Sequence, residues 1–312
     1  MTVSVIIPTY NVAATVRRSI ESAQGQTVSP HEIIVVDDAS QDETRDVVRA
    51  MAASDPRIHL IESAVNGGPS VARNLGIDAA AGKRIALLDA DDIWKPERLE
   101  RMLAVMDETG VAFLADNLIL YDIWADREGR LAYDASGPRT VVDARVYFAN
   151  CVREKFQFSL LKPLLDREFL VENNIRYRKD VRYGEDFFYY ADIFLAGARG
   201  LVLTEGYYVY TTQVGEFSGQ KSPHTRSNTD VATMVARMEE LETRADPATR
   251  REIRRCITSF SATHKSNAAR ALRQEGRYLA WARAMADKDI LMLVIRLRLR
   301  RLKLRLSGQL PD

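Results

Sequence analysis

Residues 84–99 read RIALLDADDIWKPERL. Arg84–Leu88 is a short apolar run, which predicts a buried strand. It leads directly into Asp89-Ala90-Asp91-Asp92, and Pro96 suits the first turn of a following helix. Working outward toward the N-terminus, similar strand–helix units recur. Val3–Ile7 predicts a first strand, and Ala13–Gln24 a helix with apolar positions at Val12, Val16, Ile20 and Ala23. Glu32–Val36 predicts a second strand that ends in Asp37-Asp38. Ser40 followed three residues later by Glu43 is a capping box for a helix over Glu43–Ala53. Arg57–Ile61 is a third strand. Ser70–Ala80 is a helix with Gly82 just past its end. This alternation predicts an α/β, Rossmann-like fold: a mostly parallel sheet with helices on both faces. Ligands of such sheets bind beyond the carboxyl ends of the strands. Those ends carry Pro8-Thr9-Tyr10, Asp37-Asp38 and Asp89–Asp92.

After residue 110 the pattern loosens. Val111–Tyr121 predicts one or two strands, Asp126–Pro138 a polar turn-rich stretch, and Asp166–Asn173 and Glu185–Leu195 helices. Leu201–Thr212 predicts a strand broken at Gly206, and Val214–Asn228 a polar loop. From Thr229 the pattern is helical. We therefore expect a catalytic domain over 1–228, with halves of about 1–110 and 111–228, and a helical region over 229–312. The 312 residues suffice for a full core without covalent staples. With 44 basic and 43 acidic residues the net charge is +1, which argues against a generally basic nucleic-acid binder. Two cysteines without CxxC spacing argue against a disulfide framework or a structural zinc site. The start, MTVSVIIPTYN, has no basic n-region or cleavage site. The longest apolar run, Ile290–Ile295, is far shorter than the roughly 20 residues of a spanning helix. A cytosolic chain that crosses no membrane is expected.

Asp89 and Asp91, at a strand exit, project hard oxygen ligands of the kind Mg²⁺ or Mn²⁺ prefers; the bland alternative is a solvated turn. Asp37-Asp38 offers acceptors to a nucleobase or ribose, or else caps the next helix. In Asn66–Asn74 two glycines allow close backbone approach, the helix start suits an anion, and Arg73 can pair with phosphate. A plain turn with a surface arginine is the alternative there. The first strand exit lacks G-x-G-x-x-G, which disfavours a dinucleotide-dependent oxidoreductase.

Taken in order, VSVIIPTYN, VVDDAS, NGGPSVARNLG and LLDADDIWKPERL resemble the inverting glycosyltransferase family 2 of exopolysaccharide and wall-polymer sugar transferases. The resemblance continues through Ala115–Leu118, Leu161-Lys162-Pro163, Tyr183–Asp186 and Gly206–Tyr210. It covers roughly the first 220 residues and looks most like the succinoglycan-type glucosyltransferases. It implies a GT-A fold, a UDP-sugar donor, a divalent cation (Mg²⁺ or Mn²⁺), and inversion to a β-linkage. Residue by residue, it places Pro8, Thr9 and Tyr10 at the uracil pocket and Asp37 and Asp38 on the base. Asn66, Gly67 and Arg73 would line the nucleotide site. Asp89 and Ala90 would contact the ribose side, with Asp89 and Asp91 on the metal. Asp186 would be the general base, with Glu185 as its fallback. Asp116, Lys162 and Tyr183 would face the acceptor. Phe156 and Phe158 are acceptor candidates as well, with Phe158 better read as core. The aromatic run Phe187–Tyr190 is expected to bury one side of the Asp186 carboxylate and raise its pKa, although acids also simply favour a helix start. Many relatives carry a basic residue after the Tyr-x-Tyr strand. This chain does not, and Lys221, His224 or Arg226 would replace it. His224 is also a candidate metal ligand.

The tail 290–306, ILMLVIRLRLRRLKLRL, has six basic residues and no acid, with Ile295, Leu299, Leu302 and Leu306 on one helical stripe. Leu297 and Leu304 fall on the other side, and the alternation from Arg296 to Arg300 also allows a strand; the stripe with flanking arginines predicts an interfacial helix on an anionic membrane surface, with docking on the catalytic domain or in a homodimer as the alternative. The combined expectation is an enzyme peripheral on the cytoplasmic face of the inner membrane, acting on a polyprenyl-diphosphate-linked saccharide. A sugar nucleotidyltransferase and a membrane-docked degenerate transferase acting as a scaffold are the competing readings.

Overall fold

The structure, a computed structural model, describes residues 2–122, 127–134, 137–153, 157–181, 184–212, 231–288, 290–292 and 295. Four parallel strands form its first half, in the order β3 (Ile58–Glu62), β2 (Glu32–Asp37), β1 (Val3–Thr9), β4 (Arg84–Leu87), the last three largely buried and β3 a partly exposed edge. Burial on both faces is why β2 reads as an unbroken apolar run. The helices α1 (Val16–Gln24), α2 (Thr44–Ser54) and α3 (Pro69–Ala79) connect these strands. A Cβ on Gly76 would lie 2.5 Å from the Ile6 side chain, so glycine lets α3 approach β1 closely. The Ser40–Glu43 capping box does not form. Ser40 bonds instead to Asp37, and the Asp42 carboxylate accepts the Thr44 amide at 3.0 Å.

The second half of the sheet departs from the mostly parallel expectation. Beyond β4 lie β9 (Leu164–Asp166), β6 (Phe113–Asp122), β10 (Gly200–Thr212) and β5 (Ile93–Trp94). Of these neighbours only β6 and β10 run parallel; β9 is antiparallel to both β4 and β6, and β5 to β10. The edge strands β7 (Arg127–Leu131) and β8 (Arg139–Val142) add antiparallel pairings. β7 is exposed throughout and so lacks the apolar face that marks a strand in sequence. The expected break at Gly206 is a register shift within one strand. A Cβ there would lie 2.7 Å from the Leu131 side chain. The helices of this half are α4 (Arg98–Thr109), α5 (Ala144–Arg153), α6 (Arg167–Glu172) and α7 (Glu185–Leu195).

The chain forms two compact units: one from the described residues up to Thr212 without 151–153, the other from 151–153 and the described residues from Val231. The second unit contains α8 (Val231–Thr243), α9 (Pro247–Gln274) and α10 (Tyr278–Met285). α9 starts where Asp246 accepts the Ala248 and Thr249 amides, with Pro247 in the first turn. Cys151 and Cys256 form no disulfide. Among the described residues no helix is long and apolar enough to cross a membrane. Most of the 290–306 tail, and the 213–230 segment with Lys221, His224 and Arg226, lie outside the described residues.

Candidate active site

Four separate stretches bring charge to one place beyond the end of β4. Asp89 steps out of that strand; Arg73 comes from the second turn of α3; Lys162 lies before β9; Glu185 and Asp186 open α7, where acids favour the helix N-terminus. Arg73 contacts Asp89 at 2.9 Å, Glu185 at 3.3 Å and Asp186 at 3.6 Å. Lys162 Nζ bridges Asp89 at 2.9 Å and Asp186 at 2.7 Å. The Tyr177 hydroxyl donates to the second Asp186 oxygen at 2.9 Å, and Arg73 lies over the Tyr177 ring. Two cations, with side chains only 5% and 6% exposed, thus alternate with three carboxylates. Burial pushes the Asp89 carboxyl up, but Lys162 and Arg73 outweigh it and hold the group below the usual carboxylate range. Burial pulls Lys162 down, and Asp186 and Asp89 more than reverse that. Phe188, Tyr189 and Tyr190 are fully buried and anchor the helix, the Tyr190 hydroxyl donating to the Leu161 carbonyl at 2.8 Å.

The 89–92 loop is held from both sides. The Ser19 hydroxyl of α1 lies 2.8 Å and 2.6 Å from the Ala90 and Asp92 carbonyls, and Arg18 donates to the Asp91 carbonyl and to Thr211. From β10, the Tyr208 hydroxyl accepts the Asp89 amide at 3.1 Å and donates to Asp92 at 2.8 Å. The Thr211 amide reaches the other Asp92 oxygen at 2.7 Å. Ala90 and Asp92 are buried. Asp91 differs: among the described residues no side chain donates to its carboxylate. Burial and the neighbouring Asp89 push that carboxyl above its ordinary value. Lys162 and Arg18 offset that only in part, and a half-buried carboxylate beside another acid, with no side-chain donor of its own among the described residues, fits a divalent cation. Asp89 and Asp91 supply two hard oxygens. No cluster of three or more such ligands forms among the described residues, so a cation here would also need water or phosphate oxygens, as Mg²⁺ commonly does.

The nucleotide-side candidates fall into two groups. Asp37, expected on the base, is fully buried and accepts from the Ser40 amide at 3.0 Å and from the Thr9 hydroxyl at 3.3 Å; it closes the turn after β2. Asp38 is 3% exposed, and its two oxygens accept the Gly67 and Gly68 amides at 2.8 and 2.7 Å, while Asn66 donates to its carbonyl. These acids shape the loop ahead of α3, whose Gly68 has φ +84°. Thr9 is buried and Pro8 half-buried. Tyr10 and Asn66 are the side chains that solvent reaches at this rim.

On the acceptor side, Asp116 is displaced from its expected role. It is 1% exposed, paired with the fully buried Arg98 at 2.8 Å, and it accepts the Tyr207 amide at 2.9 Å. Arg98 in turn donates to the Lys162 carbonyl at 2.6 Å, so this core pair positions the backbone of a site lysine. Lys162 itself lies at the centre of the site rather than at an acceptor rim. Phe158 is core, edge-on to Tyr133; Tyr183 and Phe156 lie outside the described residues. Tyr177, Arg18, Ser19, Tyr208 and Asp92 were not expected. Of these, Asp92 and Tyr208 lie within the motifs that carry the resemblance, and the burial of both is invisible in sequence.

The profile of glycosyl transferase family 2 matches residues 4–161. The chain is 36% identical to the succinoglycan biosynthesis protein ExoO of Rhizobium meliloti over 219 residues, covering 69% of this chain and 62% of that protein. It is 38% identical over 115 residues to an Escherichia coli protein named UDP-Glc:alpha-D-GlcNAc-diphosphoundecaprenol beta-1,3-glucosyltransferase WfgD, covering 37% of this chain and 45% of that one. The chain thus spans less than two thirds of these curated relatives. Among solved structures, S. aureus TarS 1-349 in complex with UDP-GlcNAc has a TM-score of 0.65 at 21% identity, over 85% of this chain and 73% of that one. At that identity the likeness speaks for the GT-A fold.

Proposed function

The chain belongs to glycosyl transferase family 2, and from that premise we propose that it transfers a sugar from a UDP-sugar to a saccharide acceptor with inversion, in polysaccharide biosynthesis. The observation that carries this reading is the convergence of Asp89, Arg73, Lys162 and Asp186 at ion-pair distances. Asp91 and Asp89 are the residues that would hold Mg²⁺ or Mn²⁺. Such a cation supplies charge neutralisation for the departing diphosphate. Arg73 presents a guanidinium suited to phosphate oxygens. Asp186 is the base that takes the acceptor hydroxyl proton. Lys162 and Tyr177 fix one of its oxygens each, leaving further lone pairs free. A base in this position contributes about 10²–10⁴-fold. One base acting opposite the leaving group gives a single displacement, and hence inversion.

WfgD is named for a diphosphoundecaprenol-linked acceptor. We extend a lipid-linked saccharide acceptor to this chain, together with the basic apolar tail 290–306 as a contact on the cytoplasmic face of the membrane. The test is UDP release across a panel of UDP-sugars with Mg²⁺ or Mn²⁺. Asp186→Asn should lower turnover about 10²-fold or more while keeping cation-dependent UDP binding; Asp91→Asn should lose both. Near-normal turnover by Asp186→Asn removes it as the base. Pyrophosphate release from a sugar phosphate and a nucleoside triphosphate would mark a nucleotidyltransferase instead.

A further inference from the structure

Charge is segregated along this chain. Residues 1–228 hold 26 basic and 33 acidic residues, whereas 229–312 hold 18 basic and 10 acidic. The excess is strongest on α9, which carries seven lysines and arginines and a single acid, Glu252. On its first turns Pro247, Arg250, Arg251, Arg254, Arg255 and Thr258 line a groove of about 490 Å³. Residues 250, 254 and 258 form one helical row and 251 and 255 the next, a strip about 12 Å long.

These arginines are largely pre-positioned. Arg250 is pinned by the Glu242 and Ala245 carbonyls at 3.2 and 3.0 Å. Arg254 pairs with Glu242, and Arg255 with Glu252, each at 2.7 Å. Arg251 is exposed and has no partner among the described residues. Four guanidinium groups therefore face two carboxylates, leaving an excess of two positive charges. Planar forks held in place suit phosphate oxygens better than flexible ammonium groups do. The same unit also exposes Tyr278, Leu279, Leu291, Met292 and Ile295, with Leu279 81% exposed. A ligand that takes both phosphate-seeking arginines and unburied apolar side chains is a lipid surface.

We propose that the arginine groove of α9 binds the phosphate headgroups of an anionic membrane. This rests on the membrane part of the function proposed above and assigns it a site separate from the tail. The experiment uses the full chain and sedimentation with phosphatidylcholine vesicles, with and without phosphatidylglycerol. R251Q/R254Q/R255Q should weaken partitioning onto anionic vesicles on the order of a hundredfold, about fivefold per arginine, and leave neutral vesicles unaffected. R251K/R254K/R255K keeps the charge but loses the planar forks, and should bind between the unmodified chain and the glutamine variant. A second full-length variant, with the six basic residues between Arg296 and Arg305 changed to Gln, separates the two contacts. If the groove variant binds like the unmodified chain while the tail variant dissociates, the groove proposal falls and the tail reading stands. If the groove variant dissociates while the tail variant does not, the tail reading falls alone. If the triple variant melts early, R251Q by itself, at an unpaired exposed position, should still show the fivefold loss. A melting temperature raised by soluble pyrophosphate without vesicle binding, or a preference for single-stranded RNA, would also overturn the lipid assignment.

Discussion

Replacing Asp116 by leucine tests whether this acid faces an acceptor or supports the core. Asp116 is 1% exposed and its partner Arg98 is fully buried, with contacts of 2.8 Å and 3.1 Å to one carboxylate oxygen. In Asp116→Leu the guanidinium keeps only the Lys162 carbonyl and the faces of Trp94 and Tyr208, 4.5 and 5.2 Å away. Breaking a buried pair by removing one partner costs about 3–5 kcal/mol. For a unit of this size that corresponds to a fall in Tm of roughly 6–20 °C. Replacing both partners removes the orphaned charge, and such apolar exchanges are often neutral. R98L/D116L should therefore recover most of the lost stability, a coupling that thermal and urea melting of the four proteins would measure. The double variant should still turn over slowly, because the carbonyl contact that positions Lys162 is gone. An Asp116→Leu protein that melts like the unmodified chain and raises only the acceptor KM would refute this reasoning and restore the acceptor role.

Three further outcomes follow from the same geometry. Tyr177→Phe removes one hydrogen bond to Asp186 and should lower kcat about fivefold, from about 1 kcal/mol, with the KM for UDP-sugar unchanged; a KM effect alone would place Tyr177 on the donor. Ser19→Ala frees the Ala90 and Asp92 carbonyls and should weaken Mn²⁺ in titrations about 10-fold or more; unchanged affinity would mean that α1 does not support a cation site. Burial raises the Glu32 carboxyl, but the Ser4 hydroxyl at 2.6 Å and the Ala81 amide at 2.7 Å hold it below its ordinary 4.5. A lowered carboxyl stabilises above its unfolded value and loses that contribution as pH falls through the folded one. Glu32→Gln should thus cost about 1 kcal/mol at pH 7, and the urea-midpoint gap should narrow below pH 4.5; a gap that is constant with pH would argue against the charge.

The parallel half of the sheet is legible because strands buried on both faces leave a signal independent of neighbours: β2 is six buried residues in a row. α7 is likewise legible, since its two acids lie at the positive end of a helix and the residues after them are apolar or aromatic apart from Asp192. β7 and β9 are not. The first buries no face, and the second is three residues long and owes its place to strands far away in sequence. The same divide runs through the site. Asp89, Asp91, Asp116, Asp37 and Asp38 are one residue type, each near a strand end or in a strand. What separates a reacting carboxylate from a structural one is the donor that reaches it. For Asp37 and Asp38 those donors come from turns close by in space, and for Asp116 from Arg98. Asp89 and Asp186 are bridged by Lys162, which lies 73 residues from the first and 24 from the second. No local pattern encodes that bridge, because it exists only once β9 has inserted between β4 and β6. Lys162 therefore reads from sequence as a neighbour of the acceptor, when in the fold it ties Asp89 to Asp186. With the roles proposed above for Asp89 and Asp186, drawing Asp89 toward a cation would also change what holds Asp186 through Lys162, so the proposal makes donor capture and base positioning one coupled step.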